Sequence, residues 1–362
     1  MASPIVYRPP RRSSGEIRLV RILAPNNLPD KAGNQPPSDL VHCQLEYVRL
    51  IYSELISPTG TATPLDWKDT SNDAPPAAFP EWRYTWGDFV ALSYTWGDAA
   101  HTRDIVVDGC RVPVRSNLAA LRALWEKQPV QQGVLIWIDA LCINQGDVHE
   151  RNEEVKRMRA IYKIARDVVV WLGEEEDDSQ MAMKTIRVLA NSCEDGTDQG
   201  LGDAPDMLGA GAWGLSASCH QAVLGPSVDH AGNRHGKQQT PVLCGDEVVR
   251  WGHIYHGIST FGTKQIDIFF SNTERECREA GVPYSGLNRN KLTHLWMEGN
   301  VQTGRSPPQF MPMLDLGRKS LATDLRDKVY GLMGLIPPEV AAMIEPDYDL
   351  SLSSVYISFA TT

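Results

Sequence analysis

The strongest pattern of hydrophobic and polar positions lies between residues 134 and 173. Residues 134–142 and 168–172 are apolar runs of strand length, and neither alternates with polar residues, which is typical of strands covered on both faces of a sheet. The segment between them places apolar side chains three and four positions apart, as on one face of a helix. These side chains are Val155, Met158, Ile161, Tyr162 and Ala165. This order predicts a βαβ unit whose two strands belong to a parallel sheet.

Shorter patterns on either side of this unit predict further strands. Residues 16–23 and 40–56 alternate polar and apolar positions, and we expect these two strands to pair. Residues 89–96 have the composition of a buried strand, and hairpins are predicted at residues 105–114 and 242–251, where apolar positions flank a Gly-containing turn. Together these elements predict an α/β fold with a small, doubly wound, mainly parallel, flavodoxin-like sheet and β-hairpin additions.

Helices are predicted in three other places. Ser116 is placed to cap a helix whose apolar stripe begins at Leu118. A second helix follows the acidic residues 174–178, which suit the positive end of a helix dipole. Residues 321–336 predict an amphipathic helix with Leu325 on its apolar side. The C-terminal region is therefore expected to be helical and irregular.

Composition divides the chain into four parts. Residues 1–15 are rich in Pro and Arg and are predicted to be a disordered tail. Residues 16–190 contain the central elements and are predicted to form the main domain. Residues 191–240 are rich in Gly, Asp, Ser and Ala without periodicity, which indicates a boundary or a degraded segment. Residues 241–362 form the C-terminal region, which stops inside a predicted helix and is expected to be truncated.

The charge balance and the cysteine pattern argue against several classes of protein. The chain of 362 residues has 35 basic and 45 acidic side chains and a formal charge of −10, whereas a sequence-independent nucleic-acid binder needs a basic face. No apolar run approaches the roughly 18 residues of a membrane span, and the first residues do not resemble a secretory signal. The seven cysteines are scattered without a CxxC pair, so we predict reduced thiols, a cytoplasmic location and no metal site.

Candidate site residues gather where the first strand of the central unit ends. Asp139 lies at the carboxyl end of that strand, which is where ligands bind in open α/β sheets. A polar site and a cap on a neighbouring loop both stay open as its role. Asn144 and Gln145 offer amide donors and acceptors at the same end, although a turn held by side-chain bonds is the simpler explanation of Asn144.

The crossover helix begins with two charged residues whose roles also stay open. Glu150 is a candidate catalytic acid, but the helix dipole favours an acid at this position in any case. Arg151 is a candidate to bind a phosphate or to pair with Asp139, and the pair is the simpler role. Cys142 has no His near it in the sequence to activate it, so a buried, inert thiol is predicted.

The strand at residues 89–96 ends at the same predicted edge of the sheet. Its aromatic side chains are candidates to stack on a base, and the alternative is that they fill the core. The predicted ligand-binding or effector surface therefore consists of Tyr94, Trp96, Gly97, Asp98, Asn144, Gln145 and Arg151.

Several motifs of the sequence resemble those of one known family. Residues 91–98 (ALSYTWGD) and 137–145 (WIDALCINQ) are similar to motifs of the fungal heterokaryon-incompatibility (HET) domain. Glu150-Arg151 and residues 170–173 (VWLG) follow the continuation of the same pattern. Residues 323–335 also resemble a motif that lies further downstream in these proteins.

The resemblance implies an effector that triggers programmed cell death when a fungus recognises non-self during cell fusion, in the manner of innate immunity. It also implies self-association or contact with another incompatibility protein. HET domains have been compared with Toll/interleukin-receptor (TIR) domains, some of which cleave NAD. A TIR-like fold with NAD as substrate, no bound cofactor, and Asp139 or Glu150 as catalytic acid is therefore one implied mechanism. A non-enzymatic adaptor is another, and Ala222, which stands where the family usually has an acid, implies an inactive member as a third.

Overall fold

A nine-stranded sheet organises the described part of the chain. This structure, a computed structural model, describes residues 5–23, 40–49, 89–94, 100–119, 135–165, 167–175, 179, 183–184, 186–187, 240–254, 322, 324–334 and 338–361. The strands are β1 (Glu16–Leu23), β2 (His42–Arg49), β3 (Phe89–Tyr94), β4 (Thr102–Val107), β5 (Cys110–Arg115), β6 (Leu135–Trp137), β7 (Asp167–Trp171), β8 (Pro241–Cys244) and β9 (Glu247–Arg250). The α-helices are α1 (Asp139–Cys142), α2 (Val148–Ile164), α3 (Asp327–Tyr330), α4 (Pro338–Ala341) and α5 (Leu352–Thr361). Short 3-10 helices span Arg12–Ser14, Ser116–Ala119 and Gly331–Gly334.

The sheet is mixed rather than mainly parallel. Its strand order is β5-β4-β2-β1-β6-β3-β7-β8-β9. The strands β6, β3, β7 and β8 run parallel to one another in this order, and β2 is parallel to β4. The strand β1 is antiparallel to both β2 and β6, and the hairpins β4–β5 and β8–β9 form the two edges. The α/β fold with hairpin additions is confirmed, but the predicted parallel character is limited to part of the sheet because β1 and the hairpins add antiparallel pairs.

The central βαβ unit is present with a shorter first strand than predicted. Strands β6 and β7 both pair in parallel with β3, which lies between them. Strand β6 ends at Trp137, and residues 139–142 form the helical turn α1 instead of continuing the strand. The prediction of a strand over residues 134–142 was wrong there because an apolar run does not by itself distinguish a strand from a buried helix. Asp139 also favours a helix start, since its charge lies in the first turn.

The N-terminal strands and the first hairpin match their patterns. Strand β1 covers the predicted residues 16–23 and pairs with β2 along its whole length. Asp108 and Gly109 have φ angles of 49° and 78°, as a two-residue type I′ hairpin turn requires. Before β1, the Arg8 side chain forms an ion pair with Glu16 at 2.9 Å. The Arg8 backbone N–H also donates to the Tyr47 hydroxyl at 2.8 Å.

Helix α2 is covered on two sides. Ile161 and Tyr162 are buried in the main core against the sheet. The ring of Tyr162 meets the ring of Trp137 edge-on with centroids 5.2 Å apart. On another side of the helix, Val148 and Val155 pack against a separate cluster from the C-terminal region. The C-terminal region is therefore held directly against the helix of the central unit.

The C-terminal region is helical but more broken than the pattern predicts. The expected helix over residues 321–336 is only one turn, α3, followed by a 3-10 turn. Asp324 accepts hydrogen bonds from the backbone and side chain of Arg326, and these bonds hold a turn before the helix. Leu325, placed on the apolar face by its spacing, is 47% exposed. No helix among the described residues is long and apolar enough to cross a membrane.

Some predictions fall on residues that the structure does not describe. The helix predicted after Ser116 lies outside the described residues beyond residue 119, and so do residues 191–239, which include Ala222. The division of the chain into four parts stays a prediction.

Candidate functional site

Asp139 lies directly beyond the end of β6, at the start of α1. One carboxylate oxygen accepts a hydrogen bond from the Ala140 backbone at 2.7 Å. Ile138 before it is extended, so the chain turns from strand to helix at this residue. The sequence-predicted position of Asp139 at the carboxyl end of a parallel strand is therefore confirmed.

Tyr94 is brought together with Asp139 at this edge. Strands β3 and β6 are parallel neighbours, so their carboxyl ends lie side by side. Tyr94 is only 9% exposed, and it lies close enough to Asp139 for that side chain to affect its ionisation. Burial and the adjacent Asp139 carboxylate raise the pKa of Tyr94 well above its ordinary value. The tyrosine therefore stays neutral in the folded protein.

Asn144 and Gln145 support the turn that follows α1. The Gln145 side-chain amide donates to the backbone oxygen of Asp139 at 3.0 Å. The Asn144 side-chain oxygen accepts from the Gly146 backbone at 3.2 Å. These bonds favour the structural explanation of both amides, because they fix the backbone next to Asp139.

Glu150 is held in a buried ion pair with Arg18 of β1. Arg18 is 1% exposed and Glu150 is 3% exposed. The two guanidinium nitrogens donate to the two carboxylate oxygens at 2.5 and 2.8 Å. Burial alone would lower the pKa of Arg18, but the hydrogen bonds to Glu150 and Tyr47 raise it above its ordinary value. Arg18 is therefore charged in the folded protein.

The same ion pair holds the turn of the candidate site. Glu150 also accepts a hydrogen bond from the Asn144 backbone at 2.7 Å. Arg18 also donates to the backbone oxygen of Cys142 at 2.9 Å. Because both oxygens of Glu150 are engaged, the geometry favours a positioning role over the catalytic role that the sequence left open.

Other predicted residues have different outcomes. Cys142 is buried, and burial raises the pKa of its thiol to about 12, so the predicted inert thiol fits its surroundings. Trp96, Gly97 and Asp98 lie outside the described residues.

The C-terminal region brings a second group of polar side chains close to this edge. The Tyr348 hydroxyl donates to Asp327 at 2.5 Å. Asp327 is near enough to Asp139 and Arg151 for both charges to affect its ionisation. The bonds from Arg326 hold the pKa of Asp324 below its usual value.

Sequence reasoning missed the roles of Arg18, Asp327 and Tyr348. The motif at residues 323–335 could have pointed to Asp327, but the sequence pattern does not show that this segment packs against α2. Arg18 lies in a strand that was predicted from its alternating pattern, and that pattern does not show that Arg18 is buried. Its burial depends on a partner 132 positions away in the chain.

Arg151 is stacked on Tyr348. The centre of its guanidinium group lies 3.9 Å from the centroid of the tyrosine ring, which is a cation–π contact. Its Nε atom is buried and has no hydrogen-bond partner among the described residues. Of the two predicted roles, the pairing with Asp139 is replaced in the observed geometry by stacking on the C-terminal region.

Asp327 gives the stability of the protein a pH dependence. Burial first, and then the charges of Asp324 and Asp139, raise the pKa of Asp327 from 3.8 to about 6, against the opposing effects of Tyr348 and Arg151. The folded state thus keeps this proton at pH values where the unfolded state has lost it. Asp327 imposes no loss of stability below its unfolded pKa, a growing loss as the pH rises, and the full loss above its folded pKa.

Asp327→Asn is therefore expected to raise the free energy of unfolding above about pH 6 by up to about 3 kcal/mol. Asparagine keeps an oxygen that accepts from Tyr348 but carries no charge. The measurement is urea denaturation of both proteins across the acidic range. The difference between them should vanish near the unfolded pKa, and a difference that grows toward low pH would contradict the sign.

The fold and these contacts define the protein as an α/β domain with a polar site at the carboxyl ends of its central parallel strands. Residues 89–209 match the family model described as heterokaryon incompatibility protein (HET). The chain therefore contains a HET domain, as the motifs in its sequence predict. The matched segment includes both Tyr94 and Asp139.

A relative from Neurospora crassa, heterokaryon incompatibility protein 6, OR allele, is 39% identical to this chain over 110 residues. That match covers 27% of this chain and 16% of the length of the relative. No solved structure matches the chain.

Proposed function

We propose that this protein acts in heterokaryon incompatibility as a cytoplasmic effector that triggers programmed cell death on non-self recognition in a fungus. The observation that supports this function is the HET match over residues 89–209. The effector surface in this proposal is the edge formed by Tyr94, Asp139 and the turn after α1. Self-association or another incompatibility protein would supply the signal.

The order of the parallel strands supports a flavodoxin-like or TIR-like arrangement. Taken in chain order, β3 is the first parallel strand, β6 the second, β7 the third and β8 the fourth. Their order in the sheet is therefore second, first, third, fourth, as in doubly wound flavodoxin-like sheets. In such sheets the ligand lies outside the carboxyl ends of the strands, which is where Tyr94 and Asp139 lie.

Cleavage of NAD is the second candidate function, as the death mechanism itself. In this reaction water displaces nicotinamide from the ribose, which gives nicotinamide, ADP-ribose and a proton. Asp139 at the strand edge would stabilise the positive charge that develops on the ribose. Glu150 is less suited because Arg18 neutralises it in the core. In this reaction NAD is the substrate, and the proposal includes no bound cofactor.

Asp139→Asn is expected to abolish killing while leaving the fold intact. Asparagine keeps an oxygen for the bond from the Ala140 backbone but removes the charge. The measurement is growth arrest after overexpression in a fungal host, compared with Asp104→Asn, which changes a carboxylate paired with Arg111 on the β4–β5 hairpin. The control should kill as the unaltered protein does.

The same variants separate the enzymatic version from the adaptor. If killing needs catalysis, concentrated purified protein should release nicotinamide from NAD, and Asp139→Asn should stop the release. If Asp139→Asn still kills, the enzymatic version fails and a non-enzymatic adaptor is supported. An unaltered protein that is folded but never kills would overturn the effector proposal and support an inactive family member.

An adaptor surface on α2 has little room in the structure. The C-terminal region covers the helix at Val148 and Val155. Lys156, one of its exposed side chains, is paired with Glu345 at 2.9 Å. On α2, an adaptor would therefore be limited to the positions that neither the sheet nor the C-terminal region covers.

A further inference from the structure

Arg151 differs from its neighbouring cations on α2. Lys156 and Arg157 each form ion pairs, with Glu153 and Glu154 respectively. For Arg151, no ion pair or hydrogen bond of the guanidinium group is found within the described residues. Its Nε–H is buried and unused, and a buried polar group without a partner normally indicates a water, an ion or a ligand at that place.

The surrounding structure holds this guanidinium group in place. Tyr348 forms the surface beneath it, and the Tyr348 backbone is fixed by a hydrogen bond to the Asn152 side chain at 2.9 Å. Arg326 donates to the backbone oxygen of Tyr348 at 2.5 Å. The stacked group is therefore preorganised, which lowers the ordering cost of binding.

The nearby carboxylates have other partners. Asp324 is bound by Arg326 at 2.7 Å. Asp139 accepts a hydrogen bond from the Ala140 backbone, and Asp327 accepts one from the Tyr348 hydroxyl. The charge of Arg151 acts on Asp324 and Asp327 without forming an ion pair of 4.0 Å or less with either among the described residues.

We propose that Arg151, stacked on Tyr348, is an oxyanion-binding subsite that takes a small molecule with a phosphate or carboxylate group. The planar guanidinium group matches the paired oxygens of both anions, and no carboxylate among the described residues forms an ion pair with it. The subsite borders the edge that contains Asp139, so a bound molecule would lie between the HET domain and the C-terminal region. It does not depend on killing or on NAD cleavage.

Asp327 regulates this subsite by its charge. It accepts a hydrogen bond from the hydroxyl of Tyr348, on whose ring Arg151 is stacked. The charges of Asp324, Asp139 and Arg151 also act on it. When Asp327 is ionised it repels an incoming anion and competes for Arg151. When it is protonated, Arg151 is left to the ligand.

Binding of sulfate to the full chain tests the proposal, because sulfate keeps the same charge across the relevant pH range. Measured by isothermal titration calorimetry, sulfate affinity should be roughly three- to tenfold higher at about pH 5 than at about pH 7.5. Glycerol phosphate and succinate, compared at one pH, distinguish a phosphate site from a carboxylate site.

Four variants determine the origin of the binding. Arg151→Gln should lose it, and Arg151→Lys should weaken it because the charge remains but the planar fork is lost. Arg111→Gln, an exposed arginine on β5, should bind as the unaltered protein does. Asp327→Asn should bind sulfate at about pH 7.5 as tightly as the unaltered protein binds it at about pH 5.

Equal binding by Arg151→Gln and the unaltered protein would overturn the proposal, as would tighter binding at the higher pH. Retained sulfate binding with no killing would instead refute the effector function and leave the subsite standing. Killing without sulfate binding would refute the subsite and leave the effector function standing.

Discussion

Arg18→Met is expected to lower the free energy of unfolding by about 3–5 kcal/mol, the largest effect of any single charged residue described above. The substitution leaves the Glu150 carboxyl group almost fully buried without its partner. It also removes the donor to the Cys142 backbone oxygen. The measurement is chemical denaturation at neutral pH.

Two further variants identify the cause of this loss. Arg21→Met, on the same strand, removes a partly exposed partner of Glu46 and should cost no more than about 1 kcal/mol. Arg18→Met combined with Glu150→Leu removes both charges, so it should be more stable than Arg18→Met alone. If the double variant is the less stable of the two, an uncompensated buried charge is not the cause.

Tyr348→Ala is expected to destabilise the protein by about 3–5 kcal/mol, as large-to-small substitutions of buried aromatic residues do. Tyr348 is 8% exposed. Its ring meets Tyr330 with centroids 5.2 Å apart and lies under Arg151. The substitution removes these contacts together with the hydrogen bond to Asp327, so it should loosen the C-terminal region from α2.

Denaturation followed by circular dichroism, with limited proteolysis of the C-terminal region, measures this effect. Tyr356→Ala is the matched control, because Tyr356 is 41% exposed and its hydroxyl bonds only to the Leu325 backbone oxygen among the described contacts. It should cost about 1 kcal/mol or less. Equal losses for the two tyrosines would mean that the packing of Tyr348 on α2 adds nothing.

The elements that the sequence predicted well are those set by local chemistry. The turn at Asp108-Gly109 requires positive φ at both residues, and this requirement is visible in the residue types themselves. The alternation of residues 16–23 predicted β1 to its ends. In both cases neighbouring residues contain the whole physical cause.

The features that the sequence did not reveal depend on distant parts of the chain. The alternation that predicted β1 does not show that Arg18 is buried, because its burial depends on an ion pair with Glu150 on α2. The turn at Asp324 and Arg326 interrupted the predicted C-terminal helix by a side-chain bond that spacing does not show. Asp139 was found from its position after a strand, whereas Asp327 reaches the same neighbourhood only through the packing of Tyr348 and α2.

Strand β1 has a practical consequence for work with this family. It lies before residue 89, outside the segment by which the HET domain is recognised, yet it occupies the side of β6 and supplies Arg18. A fragment cut to residues 89–209 would leave an unprotected strand edge, which promotes aggregation, and an unneutralised acid in its interior. The unit to express and purify therefore begins upstream of the recognisable domain, at or before the residues that anchor Arg8 to Glu16.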